Sequence, residues 1–261
     1  MLIVITIIKG KWRKQLCITL SKILRSDGKA RMTISVIIPT LNESRYIAQR
    51  VEFIRNYGGE AVIEIIVVDG QSTDETRSTA SAAGASVLTS PIQSRAAQMN
   101  YGAQHARGEV LYFVHADVHL IPSFVQDIEN VLKDGYAAGC YRYQFDVDRI
   151  MLKVMAFFTR FDGIMCRGGD QTLCVKKEVF LALKGFDEYY TIMEDYDFII
   201  RLKKNYKFKV IQKDVMVSAR KYEMNSWLRV QSANLIIFIM FFLKRPPNEM
   251  KNMYKKLLNY R

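Results

Sequence analysis

Residues 62–70 read Val-Ile-Glu-Ile-Ile-Val-Val-Asp-Gly, an apolar run that ends in a carboxylate. Residues 111–117, Leu-Tyr-Phe-Val-His-Ala-Asp, repeat this pattern and end at Asp117. In an open α/β sheet, ligands bind beyond the carboxyl ends of the strands. A single Asp at such a place is often only a turn former. Two of them, Asp69 and Asp117, together predict a site for a charged, hydroxyl-rich ligand and a cation.

Strand and helix patterns alternate around these two runs. An apolar strand at 34–38 precedes a helix at 44–56 that carries Ile47, Val51 and Ile54 on one face. This βαβα alternation predicts an α/β fold with a mostly parallel sheet and helices on both faces. The other predicted strands are 62–68, 85–88, 109–114, 137–145, 171–175 and 207–218, and the other predicted helices include 94–106, 149–161, 177–184 and 194–204.

Three local signals predict where elements begin or end. Pro39 is expected to end the first strand. Ser72-Thr-Asp-Glu75 has the spacing of a capping box for the helix that follows it. Pro122 is expected in the first turn of a helix that runs to about Leu132.

The net charge of +12 is concentrated near the two ends of the chain. Residues 1–31 hold eight Lys or Arg and one Asp, and residues 244–261 hold six Lys or Arg and one Glu. The body between them, residues 32–243, is therefore neutral. A neutral body without an RNA- or DNA-binding motif argues against a nucleic-acid partner. We expect residues 1–31 to be a loosely attached extension, with Met32 as an alternative start of translation.

A nine-residue apolar run, Leu235–Leu243, is followed by Lys244 and Arg245. A membrane-spanning helix needs about 20 apolar residues, so this run is too short to cross a bilayer. Three interpretations stay open. The run is a peripheral contact with an anionic membrane surface, a buried helix that closes the domain, or a homodimer interface.

The cysteines predict a reducing environment. Cys17, Cys140, Cys166 and Cys174 form no CxxC pair and have no His at metal-ligand spacing. We therefore expect free thiols and a cytoplasmic protein. If the C-terminal run contacts a membrane, that contact would be with its inner face.

Several motifs follow one another in a specific order. They are Ser35-Val-Ile-Ile-Pro-Thr-Leu-Asn-Glu43, Val67-Val-Asp-Gly-Gln-Ser-Thr-Asp-Glu-Thr76, the strand ending at Asp117, Gly185-Phe-Asp-Glu188, and Glu194-Asp195. Over about residues 33–220 they resemble glycosyltransferase family 2. Within it, the chain is similar to a subgroup with His-Ala-Asp at the metal motif (residues 115–117) and Gly-Gly-Asp-Gln further on (residues 168–171). The resemblance implies the GT-A fold and transfer of a sugar from a nucleotide-sugar donor to an acceptor hydroxyl.

The resemblance implies that the donor half of the site lies at the strand ends. Glu43 and Asp69 would hold the nucleoside, while Arg95 would bind the diphosphate through paired N–H donors. Asp117 would hold Mg²⁺ or Mn²⁺, which favour oxygen ligands. The family's usual metal motif is Asp-x-Asp, and His115 stands at its first position. His115 is therefore a second metal ligand, a ribose contact or a packing residue. The predicted nucleotide contacts are Pro39, Thr40, Asn42, Glu43, Asp69, Arg95 and Ala116.

The acceptor half of the site follows from the same resemblance. Asp195 would be the general base of an inverting, single-displacement transfer, beside Glu194, and Asp170 is the alternative base. Arg220 and Lys221 are further candidates to close over the diphosphate. The residues expected to shape the donor-sugar and acceptor pocket are Gly168, Gly169, Asp170 and Gln171.

The implied domain organisation has three parts. Residues 1–31 are the extension, residues 32–225 are the GT-A domain, and residues 226–261 are an apolar and then basic helical segment. Within the GT-A domain, residues 32–135 would form the nucleotide-sugar half and residues 136–225 the acceptor half.

Two other functions compete with sugar transfer. A sugar-phosphate nucleotidyltransferase would carry a Gly-rich, basic loop after the first strand, whereas residues 39–43 contain neither Gly nor Lys. A non-catalytic nucleotide-sugar binding protein on the same scaffold is the second competitor. A dinucleotide-dependent enzyme is disfavoured because no GxGxxG follows a strand. The donor sugar, the nucleobase and the acceptor, whether lipid-linked or small and soluble, stay open.

Overall fold

The computed structural model describes residues 32–167 and 171–258. Within them, a seven-stranded sheet has the strand order β3-β2-β1-β4-β6-β5-β7. The strands are β1 (Ile34–Thr40), β2 (Val62–Asp69), β3 (Ser86–Thr89), β4 (Val110–Phe113), β5 (Ala138–Phe145), β6 (Leu173–Lys176) and β7 (Phe208–Val217). The helices are α1 (Ser44–Gly58), α2 (Thr76–Ala82), α3 (Arg95–His105), α4 (Phe124–Lys133), α5 (Ile150–Phe158), α6 (Lys177–Ala182), α7 (Glu194–Asn205), α8 (Lys221–Met224), α9 (Trp227–Phe242) and α10 (Pro247–Leu257), with a short 3-10 turn at Ile164–Cys166.

The sheet is mostly parallel, which confirms the predicted fold class. β1 pairs in parallel with β2 and β4, β2 pairs in parallel with β3, and β5 pairs in parallel with β7. Only β6 is reversed, and it is antiparallel to both β4 and β5. Its register places Leu173 opposite Phe113 and Lys176 opposite Val110. The amino end of β6 therefore lies at the carboxyl end of β4.

Helices cover both faces of β1, and all seven residues of this strand are buried. Successive strand side chains point to opposite faces. Val36 and Ile38 accordingly belong to one core cluster together with residues of α1 and α4. Ile37 belongs to a second cluster with residues of α3, α6 and α7. The expected apolar face of α1 is confirmed, since Ile47, Val51 and Ile54 are fully buried.

The expected end of the first strand at Pro39 is wrong. β1 continues through Pro39 to Thr40, and Pro39 aligns with Val68 of β2. Proline is tolerated here because the β1–β4 ladder stops at Ile37 opposite Phe113. Beyond that pair β1 is flanked by a ladder only on its β2 side, so the missing N–H of Pro39 costs little.

The expected capping box at Ser72–Glu75 is also wrong. The helix begins at Thr76, and the side chain of its N-cap, Glu75, makes no capping hydrogen bond. Ser72 instead accepts a hydrogen bond from the amide of Asn42, in the neighbouring loop. Pro122 lies ahead of α4 and not in its first turn, because the helix begins at Phe124 after an N-cap at Ser123.

The two C-terminal helices pack on the body of the protein. Val230 and Ala233 of α9 share a buried cluster with Leu152 of α5. Ile237 and Phe241 share another with residues of α10 and the segment before α7. In the part of the chain that the structure describes, no helix is long and apolar enough to span a bilayer. The predicted extension, residues 1–31, lies outside the described residues, and the proposed domain boundaries stay predictions.

Helix α3 lies very close to the sheet at Gly102. A Cβ atom added there would lie 2.6 Å from Cγ2 of Ile37 and 2.9 Å from Cγ2 of Val68. Real Cβ atoms do not approach other atoms so closely, and densely packed interiors do not relax freely. The absence of a side chain at this position thus sets the distance between α3 and the ends of β1 and β2.

We expect Gly102→Ala to destabilise the protein. Helix propensity alone would favour Ala by about 1 kcal/mol, but overpacking a core costs about 1–3 kcal/mol, so a net loss should remain. Urea unfolding followed by circular dichroism measures the difference. Asn56→Ala, at an exposed position of α1, serves as the control and should be neutral or slightly stabilising. Equal or greater stability of Gly102→Ala would contradict the tight packing.

Candidate functional site

The loops that follow β1 and β2 are tied to each other by side-chain hydrogen bonds. The amide of Asn42 donates to Oγ of Ser72 at 2.8 Å, and Oδ1 of Asn42 accepts from the amide of Thr73 at 2.9 Å. Asn42 has a φ of 56°, a conformation that Asn tolerates better than most residues. Three members of the predicted nucleotide-binding set, Pro39, Thr40 and Asn42, therefore lie at a rigid junction between two strand ends.

The side chain of Gln98, in α3, forms hydrogen bonds to the same two strands. Its side-chain Nε2 donates to the carbonyl oxygens of Thr40 and Val68, both at 2.8 Å. The side chain is almost fully buried, and Gly70 leaves room for it, because a Cβ at Gly70 would lie 2.9 Å from Nε2. Gln98 thus fixes the position of the carboxyl end of β1 relative to that of β2.

Asp69 is buried at the end of β2 with one oxygen available. Its Oδ2 accepts a hydrogen bond from the amide of Ser72 at 2.9 Å and lies 3.8 Å from Nε of Arg77. Its Oδ1 is buried and has no hydrogen-bond partner among the described residues. A buried acceptor without a donor is costly. Such an atom is suited to a ligand that brings a hydroxyl or N–H group.

Glu43 and Asp117 are joined by Arg220. The two guanidinium nitrogens of Arg220 donate to the two carboxylate oxygens of Glu43 at 3.1 and 2.7 Å. One of them also lies 3.2 Å from Oδ2 of Asp117. The hydrogen bonds that Arg220 donates to Glu43, with the nearby charge of Asp117, raise the pKa of Arg220 above its ordinary value. The structure therefore brings together Glu43, at the start of α1, and Asp117, just after β4.

A second arginine, Arg50, lies beneath Asp117 and is almost completely buried. Burial lowers the pKa of Arg50 to about 10, and this loss is partly offset by the negative charge of Asp117. Sequence reasoning missed this residue. The available signal was a charged side chain between Ile47 and Ile54, on the face of α1 that is otherwise apolar.

The rest of the His-Ala-Asp motif lies in the turn after β4. Ala116 is buried in the core cluster on the α1 side of the sheet. His115 is partly exposed, and its carbonyl oxygen accepts from the amide of Val118 at 3.1 Å. Within the described ranges, no group of three or more His, Cys, Asp or Glu side chains is arranged to hold a metal ion. Asp117 is partly exposed and lies 3.2 Å from Arg220, and its role toward a cation stays a prediction.

Glu194 and Asp195 begin α7, after Met193 in the left-handed conformation with a φ of 72°. Glu194 is buried and forms an ion pair with Arg95, the first residue of α3. Arg95 was predicted to bind the diphosphate, and in the structure it contacts Glu194. Its proposed role toward the diphosphate stays a prediction.

Asp195 has a perturbed carboxyl group. Its Oδ2 is buried without a hydrogen-bond partner among the described residues. Burial, followed by the negative charge of Glu194, raises the pKa of Asp195 to about 6, although Arg95 opposes the shift. A carboxylate with a pKa in this range is a better proton acceptor near neutral pH than an ordinary Asp.

Asp195 faces a large cavity of about 830 Å³. The cavity is enclosed by α5, the segment after it, the start of α7, α8 and the two C-terminal helices, and Arg95 also lines it. Gln171 lies two residues before β6 and is buried, with its Nε2 donating to the carbonyl oxygen of Tyr141 at 3.2 Å. Gly168, Gly169 and Asp170 lie outside the described residues.

Comparison with known proteins identifies the family. The glycosyl transferase family 2 model matches residues 35–185. Glucosyl-3-phosphoglycerate synthase of Mycolicibacterium smegmatis is 43% identical over 85 residues, which are 33% of this chain and 27% of that protein. The same enzyme of Mycolicibacterium paratuberculosis is 31% identical over 141 residues, which are 43% of each chain. The chain thus matches less than half the length of these curated relatives.

Solved structures share the fold. Glucosyl-3-phosphoglycerate synthase from Mycobacterium tuberculosis, in complex with Mn²⁺, UDP-glucose and phosphoglyceric acid, has a TM-score of 0.61 at 17% identity, over 82% of this chain and 81% of that one. Mannosyltransferase PcManGT from Pyrobaculum calidifontis, in complex with GDP-Man and Mn²⁺, has the same TM-score and identity, over 87% and 69% of the two chains. These likenesses confirm the GT-A type of α/β fold. Because the family match extends over more than half of the sequence, the chain belongs to glycosyl transferase family 2.

Proposed function

We propose that the protein is an inverting glycosyltransferase that moves a sugar from a nucleoside-diphosphate sugar to an acceptor hydroxyl, assisted by a divalent cation. The observation that carries this proposal is that one short segment connects both halves of the site. Arg220 contacts Glu43 and Asp117, and the next two residues, Lys221 and Tyr222, line the cavity that holds Asp195. A donor at the strand ends and an acceptor in the cavity would meet at this segment.

The nucleoside would bind at the ends of β1 and β2. Ribose hydroxyls and base N–H groups are donors, and the buried Oδ1 of Asp69 is an acceptor without a partner among the described residues. Once Arg220 moves from Glu43 to a ligand, Glu43 would accept a second hydrogen bond from the nucleoside, in addition to the one at Asp69. The backbone of residues 39–42 and the small side chain of Ala116 would form the walls of this pocket. UDP-glucose and GDP-Man are the nucleotide sugars in the two structurally similar proteins.

The cation would bind at Asp117, with His115 as a second candidate ligand. Mg²⁺ often takes only one or two carboxylates and completes its shell with substrate phosphates and water, so a lone strand-end Asp fits this type of site. A bound Mg²⁺ or Mn²⁺ would neutralise the charge that develops on the departing diphosphate. The similar structures with Mn²⁺ or Mg²⁺ support this assignment. The His-Ala-Asp motif of the subgroup would then be a form of the metal motif that contains one carboxylate in place of two.

Arg220 would bind the diphosphate. In the structure its guanidinium is held by two carboxylates, and a diphosphate offers the same paired oxygen geometry with more charge. Arg50, buried beneath Asp117, keeps a fixed positive charge under that carboxylate. We expect Arg95 to influence the proposed base, Asp195, through its ion pair with Glu194. A contact between Arg95 and the diphosphate is a secondary part of the proposal.

Asp195 would be the general base. With a pKa of about 6, roughly ten carboxylates are ionised for each protonated one at pH 7. Its Oδ2, which has no hydrogen-bond partner among the described residues, can take the proton of the acceptor hydroxyl as the hydroxyl oxygen attacks the anomeric carbon. Glu194, tied to Arg95, would orient α7. Asp170 stays the alternative base.

We expect Asp195→Asn to lower the rate of nucleoside diphosphate release by about 10²–10⁴-fold, because the base is lost. Asp117→Ala should abolish stimulation by Mn²⁺. The assay follows product release from a panel of UDP- and GDP-sugars with and without Mn²⁺. Asp134→Asn, which removes a surface carboxylate paired with Lys209, is the matched control. Full turnover by both site variants would refute the assigned roles, and tight donor binding without turnover by the wild type would favour a binding protein.

We expect the single-turnover rate of the wild type to fall as pH drops through about 6, because protonated Asp195 cannot accept a proton. Glu194→Gln removes the negative charge that raises this pKa, and leaves Arg95 to lower it. The acid limb of the pH profile should therefore move to lower pH. A limb that stays in place or moves to higher pH in Glu194→Gln would show that another group titrates.

A further inference from the structure

The cavity in front of Asp195 is mainly apolar. Its volume is about 830 Å³, within the usual range of about 300–1,000 Å³ for small-molecule sites. Among the described residues, Asp195 is the only carboxylate that lines it. Apolar side chains come from α5 and the segment after it, and from α9, and they include Met155, Phe158, Met165, Leu235, Ile237 and Phe238.

Cationic side chains also line the cavity. Lys251 and Lys255 of α10 and Lys221 of α8 line the cavity. Lys221 lies 5.4 Å from the ring centre of Tyr254. In the described part of the chain, no ion pair involves Lys251 or Lys255. Three lysines therefore face a cavity whose one described carboxylate is the proposed base, so an anionic ligand would be favoured.

Exposed apolar side chains continue from the cavity lining to the surface. We call Phe157, Phe158, Phe161, Met165, Leu235 and Phe242 the apolar rim. Phe158, Met165 and Leu235 line the cavity while remaining 52%, 72% and 53% exposed. The Phe158 ring contacts the rings of Phe157 and Phe161, and Phe242 contacts cavity-lining Phe238 at 4.8 Å between ring centres. Exposed apolar side chains around a cavity are typical of an interaction site.

We propose that the acceptor is an anionic amphiphile, with a hydroxyl group at Asp195, an anionic group at the lysines of α8 and α10, and an apolar chain that leaves over the apolar rim. The inference rests on the proposed function. In the transfer, the hydroxyl oxygen forms a bond to the anomeric carbon of the donor sugar. The bond from that carbon to the diphosphate breaks with its electron pair on the diphosphate oxygen, and the hydroxyl proton goes to Asp195.

The observations favour this class over a small polar acceptor. A small anion such as a phosphorylated acid would be attracted by the lysines, but it would leave the apolar lining and rim uncovered. An apolar alcohol would cover the rim, but it would leave Lys251 and Lys255, which form no ion pair with a described residue, unneutralised. Only a ligand with both features matches both the apolar and the cationic residues that line the cavity.

Calorimetry on the full chain tests this inference with three probes below their micelle concentrations. Dodecyl phosphate carries both features, glycerol 3-phosphate carries only the anionic one, and dodecyl maltoside carries only the apolar one. We expect dodecyl phosphate to bind at least about tenfold more tightly than either of the others, since each feature contributes on the order of a tenfold gain. Equal affinity for glycerol 3-phosphate would overturn the proposal in favour of a small acceptor.

Variants locate the binding in this cavity. Lys251→Gln combined with Lys255→Gln, and separately Leu235→Ser, should each weaken dodecyl phosphate binding about tenfold. Lys256→Gln on α10 and Leu228→Ser on α9 alter exposed residues of the same helices outside the cavity, and should leave it unchanged. Unchanged binding in the cavity variants would overturn the proposal. The proposal would also be overturned if light scattering showed a dimer that Leu235→Ser dissociates, and dodecyl phosphate did not bind at all.

A parallel titration with UDP or GDP and Mn²⁺ separates this inference from the proposed function. Nucleotide binding without dodecyl phosphate binding would leave sugar transfer standing and refute the amphiphilic acceptor. Dodecyl phosphate binding without nucleotide binding would refute the donor site alone. Nucleotide affinity should be the same in wild type and in the α9 and α10 variants, because none of those residues lies at the strand ends.

Discussion

The site depends on how the backbone is satisfied at the carboxyl ends of β1 and β2. Backbone carbonyl groups that are buried where two strands end side by side need donors, because buried polar groups without partners are costly. Gln98 supplies donors to the carbonyls of Thr40 and Val68, and Asp69 accepts from the amide of Ser72. These bonds fix the two loops before any ligand is present. The position of Asp69 is therefore a property of the scaffold.

Electrostatic balance is the second constraint on the site. Glu43 and Asp117 lie close enough to share Arg220, and Arg50 adds a buried positive charge below Asp117. Bringing carboxylates together requires such neighbours, because like charges in a partly buried site repel. The same logic applies at the start of α7, where Arg95 pairs with Glu194 beside Asp195. Each half of the site thus contains an arginine that compensates a carboxylate.

The sequence predicted what depends on local pattern. Apolar runs ending in Asp69 and Asp117 were sufficient for the parallel sheet and for the edge at which the site lies. It did not reveal the distant partners of individual residues. Ser72 bonds to Asn42 and caps no helix, and Arg95 pairs with Glu194, 99 positions away. Neither partner is visible in local spacing, and only the packed structure shows which charges meet. Buried Arg50 likewise required the fold to reveal its neighbour.

The reversed strand β6 has a consequence for how this site can vary. In a wholly parallel sheet, the ligand edge receives only the segments that follow strands, and each segment is also the start of a crossover. Because β6 runs the other way, its first residue, Leu173, lies at the same edge, opposite Phe113. At this one place, the ligand edge of the sheet is formed by the start of a strand, and the crossover helix that follows, α6, begins at the far end of that strand. A change at the start of β6 can therefore alter the ligand edge without shifting the start of a crossover helix.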